Sequence, residues 1–140
     1  MSARYEIEAM VVAALRPMET QLGVPVLPGR TTADRPGSFV VVRAEEERFI
    51  IPNASAGFVE VDVVSVAQLD DAGEVAASKI RIAQIGLYFG TADVMDDMRE
   101  AGTAAMTTYP SFAVVRGSSV LRKDRSQGDV LRVSFGVQRI

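Results

Sequence analysis

The sequence predicts an α+β fold: a mostly antiparallel sheet packed by an N-terminal helix and a central helix, in a single domain over residues 1–140. Three observations predict it. Residues 2–16 and 71–89 repeat apolar side chains at helical spacing. Phe58 to Val66 and Leu131 to Val137 alternate apolar and polar residues with the period of a half-buried strand. Residues 112–137 form two such stretches around a polar turn, a long antiparallel hairpin. A chain of 140 residues buries roughly two thirds of the surface it exposes when unfolded, so it needs no disulfide or metal to fold.

Residues 2–16 set Ile7, Met10, Val11, Ala14 and Met18 on one apolar stripe. Glu6 and Glu8 fall in the early turns, where the helix dipole favours negative charge. Pro17 lacks the N–H that a helix interior needs, so the regular helix ends or kinks there. Residues 23–38 hold Gly23, Pro25, Pro28, Gly29, Pro36 and Gly37. Val24 to Leu27 reads as a short strand, and the rest as a long loop of a kind that often carries function. Arg30 and Arg35 on that loop are candidates for docking a partner, with a plain solvated loop as the alternative.

Phe39 to Arg43 is β-branched and aromatic and reads as a strand. Glu45, Glu46, Glu47 and Arg48, followed by Phe49, Ile50, Ile51 and Pro52, read as a hairpin arm with an acidic tip. Arg48 and Phe49 are candidate contact residues on that arm. Its three carboxylates converge poorly on one metal ion, because consecutive residues of an extended chain point to opposite faces. In Phe58 to Val66, Val59, Val61 and Val63 face one way and Glu60 and Asp62 the other. Solvation explains the two carboxylates, with a catalytic pair as the alternative. The phase slips at Val64, so either a bulge sits there or the strand end is covered on both faces.

In residues 71–89, Asp71 with Glu74 resembles a capping box. Val75, Ile82, Ile85 and Phe89 share a face, and Gly90 suits a C-terminal stop. Ile80 and Leu87 lie off that stripe and require a second buried face, against the sheet or against a neighbouring subunit. Residues 91–109 read as a short helix followed by a loop, since Gly102 and the threonines interrupt the spacing of Val94, Met98, Ala101 and Ala105. Phe112 to Val115 and Val120 to Arg122 are strand material around Gly117 and Ser118. Arg122 to Gly128 is a polar turn, and Leu131 to Val137 a half-buried strand. Arg122, Lys123 and Arg125 make a basic cluster suited to docking a partner or, more plainly, to keeping the turn soluble.

Composition narrows the chemistry. The chain has no cysteine, histidine or tryptophan, which removes thiol nucleophiles, thiolate zinc sites and the usual neutral-pH base. No Gly-rich loop precedes a helix N-terminus, and no nucleophile elbow is present. No apolar run approaches a membrane span, the first fifteen residues do not read as a signal peptide, and a cytoplasmic origin fits. Neither a cofactor nor a metal is expected. The net charge of -3 is uneven: -6 over residues 57–110 against +4 over residues 111–140. Such asymmetry steers copies of one protein into head-to-tail contact. An acidic protein with few aromatic residues is not expected to read nucleic-acid sequence.

The order of segments resembles the tail terminator proteins of long-tailed bacteriophages. The resemblance is carried by Pro36-Gly37-Ser38-Phe39-Val40-Val41-Val42-Arg43 as the entry into the sheet, Val59 to Val63 as the central strand, Asp71 to Phe89 as the following helix, and Leu131 to Ile140 as the closing strand. It covers most of the chain, and residues 91–110 fit it least. It implies a virion protein, assembled in the host cytoplasm, that forms a hexameric ring at the head-proximal end of the tail. The implied partners are its own copies, the tail tube protein and the head connector or neck protein, with DNA passing through the lumen unread. Arg30, Arg35, Arg48, Phe49, Ile80, Leu87, Arg122, Lys123 and Arg125 are the candidate interface residues. A neck or baseplate adaptor, a binding domain unrelated to viruses, and an enzyme using Glu60 with Asp62 or Glu45 to Glu47 are the alternatives.

Overall fold

Pro17 divides the first helical stretch as its missing N–H requires. In the computed structural model, which describes residues 3–29, 37–49, 56–67, 72–91, 93–105, 112–124 and 128–139, helix α1 spans Ala3–Leu15 and gives way to a 3-10 turn at Arg16–Met18. A single turn, α2, spans Glu19–Leu22. Gly23 ends it in the left-handed region at φ 74° and donates its N–H to the Glu19 carbonyl at 2.8 Å. Only glycine adopts that backbone without steric cost. Strands β1 (Val26–Pro28), β2 (Phe39–Phe49) and β3 (Ala56–Val66) follow. Helices α3 (Ala72–Phe89) and α4 (Val94–Ala105) precede strands β4 (Phe112–Asp124) and β5 (Gly128–Arg139).

The strands form one sheet in the order β1-β2-β3-β5-β4. Only the short β1–β2 pair is parallel, and the other three pairs are antiparallel. The α+β class and the N-terminal helix packed on the sheet are therefore as the sequence predicts. Alternation sorts the side chains. Val40, Val42, Val59, Val61, Val63, Leu131, Val133, Phe135 and Val137 are buried in one cluster with Ile7, Met10, Val11 and Leu15 of α1, Ile82 and Ile85 of α3, and Met98 of α4. The remaining alternate positions, among them Asp62, Glu60 and Arg132, stand on the opposite face. Helix α4 approaches α1 at Gly102, where an added Cβ would lie 2.7 Å from Met10 Cγ.

Several local expectations are corrected. Glu45 to Glu47 are not a hairpin tip. They lie within β2, which continues to Phe49 across an irregularity between Ala44 and Glu46. The extra residue there bends the strand without ending it. Of the two alternatives at Val64, the covered strand end holds and the bulge does not, because the pairing with β2 is continuous from Val61 to Val66. Val63, Val64 and Ser65 are all buried, Val64 in a small second cluster with Val41 and Val130. Residues 94–105 are one full helix; Gly102 lowers propensity but permits the contact with Met10. Gly117 and Ser118 do not interrupt β4, which runs through Lys123 to Asp124 with one irregularity between Val114 and Arg116. Asp71 lies outside the described residues. Among those residues, no helix is long and apolar enough to cross a membrane.

Candidate functional site

Helix α3 presents a row of apolar side chains to solvent. Ser78, Ile82 and Ile85 face the sheet and are buried. The opposite side of the same helix carries Ala76, Ile80, Ala83 and Leu87, all exposed, with Ile80 at 60% and Leu87 at 76%. The spacing of four, three and four residues is that of a packing seam between helices. Of the two alternatives for Ile80 and Leu87, burial against the sheet is thus removed. The sheet-facing stripe already fills that side, and the outward seam is open in the isolated chain.

The other candidates do not converge on this seam. Arg48 is exposed and grips Glu46 through Nε and Nη2 at 2.7 and 3.1 Å. Its guanidinium holds the Glu46 carboxyl below the usual carboxylate range. Phe49 is half-buried and packs against the main core. Arg122 and Lys123 sit on β4 opposite Val130 and Asp129. The pairing runs Phe49–Gly57–Val137–Val114 at one end of the sheet and Val41–Val64–Val130–Arg122 at the other. Arg48 and the basic end of β4 are therefore at opposite ends. Arg30, Arg35 and Arg125 lie outside the described residues.

The face of the sheet turned away from α1 and α3 carries an ion ladder. Arg132 on β5 donates Nε and Nη2 to the two oxygens of Asp62 on β3, at 2.8 and 3.0 Å, and Nη1 lies 3.7 Å from Glu60. The Asp62 hydrogen bond raises the Arg132 pKa, and a fork-to-carboxylate pair of this kind is strong. Glu60 and Asp62 are thus both engaged by one guanidinium. Of the three carboxylates on β2, Glu46 is held by Arg48, Glu47 accepts the Arg4 backbone N–H at 3.0 Å, and Glu45 is exposed.

Sequence reasoning missed four polar links that position these surfaces. Glu8 is buried on α1 and accepts the Ala44 N–H of β2 at 2.9 Å. It takes over that margin of the strand where β1 stops. Ser78 of α3 donates its hydroxyl to the Ser65 carbonyl at 3.0 Å, fixing the helix to β3. Arg81, also buried, donates to the Leu22 carbonyl at 3.0 Å and to Glu74 at 3.1 Å. Arg81, and after it Ser38, lowers the Glu74 pKa. The only signal for these was a polar residue on an apolar helix face, which does not name a partner. The fourth link is Tyr88, which donates its hydroxyl to Asp97 at 2.9 Å in a cleft of about 310 Å³ lined also by Ala14, Pro17, Met18 and Ala101.

Burial, and then the Asp97 carboxylate, raise the Tyr88 pKa well above 10.0. Above that pH the unfolded chain releases the phenolic proton and the folded chain keeps it. The contribution is therefore complete below pH 10 and is lost as pH rises. In Tyr88→Phe the stability curve above about pH 10 should be flatter by up to about 1.4 kcal/mol per pH unit. Denaturant midpoints measured between about pH 9 and 11 check this, and parallel curves would refute it. No protein-family model and no curated protein sequence matches this chain.

Proposed function

We propose that the protein is a structural subunit that assembles with copies of itself, and specifically a tail terminator of a long-tailed phage, the class its segment order resembles. In that role several copies close head to tail into a ring on the finished tail tube. The ring ends tube growth and offers a surface to the head connector. The observation that carries the reading is the outward seam of α3. A soluble monomer gains nothing from Ile80 and Leu87 in water, and burying two such side chains stabilises an interface by about 2–4 kcal/mol. The split between acidic middle and basic C-terminal third adds the unlike flanks that a heterologous ring contact needs.

Native mass spectrometry of the purified protein and electron microscopy of tails test the proposal. The expected result is a closed multimer of defined mass that appears as annular density at the tail's head-proximal end. A strict monomer that is also missing from tails would overturn it. The paired variant Ile80→Asp with Leu87→Asp should keep the wild-type thermal transition, because neither side chain belongs to the core. It should lose assembly by tens- to several-hundred-fold. Normal assembly of that variant would mean that the seam is not a subunit contact.

A further inference from the structure

We propose that the subunits join strand to strand. The outer margin of β4 in one copy takes the distal part of β2, Glu45–Arg48, of a second copy as its antiparallel neighbour. This rests on the ring reading and names the contact within it.

Among the described residues, β4 pairs on one side only, with β5, although it is thirteen residues long. At the other end of the order, β1 covers β2 only from Val40 to Val42. Glu8 then takes the Ala44 N–H. Beyond Ala44, the outer margin of Glu45–Arg48 has no strand beside it among the described residues. Both margins offer backbone donors and acceptors to a further strand. The directions agree: three antiparallel steps separate β2 from β4, so a second copy that continues the sheet sets its β2 antiparallel to β4.

Charge selects which margins meet. The β2 segment holds Glu45, Glu46 and Glu47 against Arg48 alone, while β4 holds Arg116, Arg122 and Lys123 against Asp124 alone. Pairing β4 with another β4 sets cations against cations, and pairing β2 with β2 sets carboxylates against carboxylates. Only the unlike pair is attractive, and unlike pairs repeat around a ring. Charged residues and bulges ordinarily keep a solitary strand margin from aggregating. Opposite signs on the two margins allow the same device to exclude like and admit unlike.

Strand β1 fixes the stagger. It occupies the β2 margin through Val42, so an incoming β4 must stop beside Ala44. Asp124 opposite Ala44 places Lys123 opposite Glu45 and Arg122 opposite Glu46. Relative to an unshifted sheet, this is a slide of about five residues, roughly 16 Å. Stagger of this kind is what a closed run of strands requires.

Charge exchange tests the contact on the full chain. One variant carries Glu45→Lys and Glu46→Lys, and a second carries Arg122→Glu and Lys123→Glu. Each alone should weaken assembly at least about tenfold. Their equimolar mixture should restore multimers containing both. Thermal transitions check that each variant is folded. The absence of native cysteine permits a second measurement. Glu45→Cys with Lys123→Cys in one chain should oxidise to a ladder of covalent multimers, and each single substitution should give no species beyond a dimer. A wild-type ring that survives both charge variants and gives no ladder would overturn this contact while leaving the ring reading standing. A wild type that never assembles would overturn both.

Discussion

Phe135→Ala is expected to destabilise the fold by about 3–5 kcal/mol, the largest effect of any single substitution considered. Phe135 is the largest fully buried side chain among the described residues and is only 1% exposed. It sits on β5, an interior strand, paired with Val59 on one side and Gly117 on the other. The Phe89 ring of α3 lies 6.2 Å away, centroid to centroid and tilted by 59°. On the β4 side the space is already full, since a Cβ at Gly117 would come within 3.2 Å of the Phe135 ring. Truncation therefore removes apolar burial and leaves a void between two paired strands and a helix, which relax little. Equilibrium denaturation should show the loss with an unchanged m-value, and the melting temperature should fall by roughly 10–20 °C. A loss below about 1 kcal/mol would mean that α3 does not close over this part of the sheet.

Removing the cation of the ion ladder on β3 and β5 is the second large effect. Asp62 and Glu60 project from β3 on the same face, Glu46 is the β2 partner of Glu60, and Arg132 serves both β3 carboxylates. The Asp62 side chain is only 14% exposed while that of Arg132 is 32% exposed. Solvent thus screens the pair in part. Arg132→Met should cost about 1–3 kcal/mol, between the values for exposed and buried pairs. The loss should be partly recovered by adding Asp62→Asn, because the stranded charge is then gone. A double-mutant cycle on positions 62 and 132 measures the coupling, and additive losses would mean that the fork contributes nothing.

The fold was legible where the two sides of an element meet different media. Helix α3 and strands β3 and β5 each separate core from water or from a polar face, so their periods stand out, whereas α1 is enclosed on nearly every side and buries Glu6 and Glu8 as well. Strand β2 hid beyond Arg43 because its distal half is nearly all charged. What holds it in the sheet is pairing with β3 and the hydrogen bond from the Arg4 N–H to Glu47, not burial. Helix α4 was half-hidden because Gly102 is a poor helix residue chosen for a close approach. The outward seam was legible as a conflict, since Ile80 and Leu87 fit no face the rest of α3 needed. The margins of β2 and β4 were not legible at all. Which strand ends up at a margin depends on pairing between segments far apart in sequence, and composition carries no record of that.

The sheet order has a consequence for how the chain reaches its final form. Strand β5 follows every other strand in sequence, yet it lies between β3 and β4, so that Asp62 meets Arg132 and Val59 meets Phe135 across a long stretch of intervening chain. Before residues 128–139 are made, β3 lacks its neighbour on that side and β4 lacks the strand it pairs with. Closure of such distant pairs is slow, and ribosomal synthesis adds only about 5–20 residues per second. The sheet is therefore continuous from β3 to β4 only once β5 is in place.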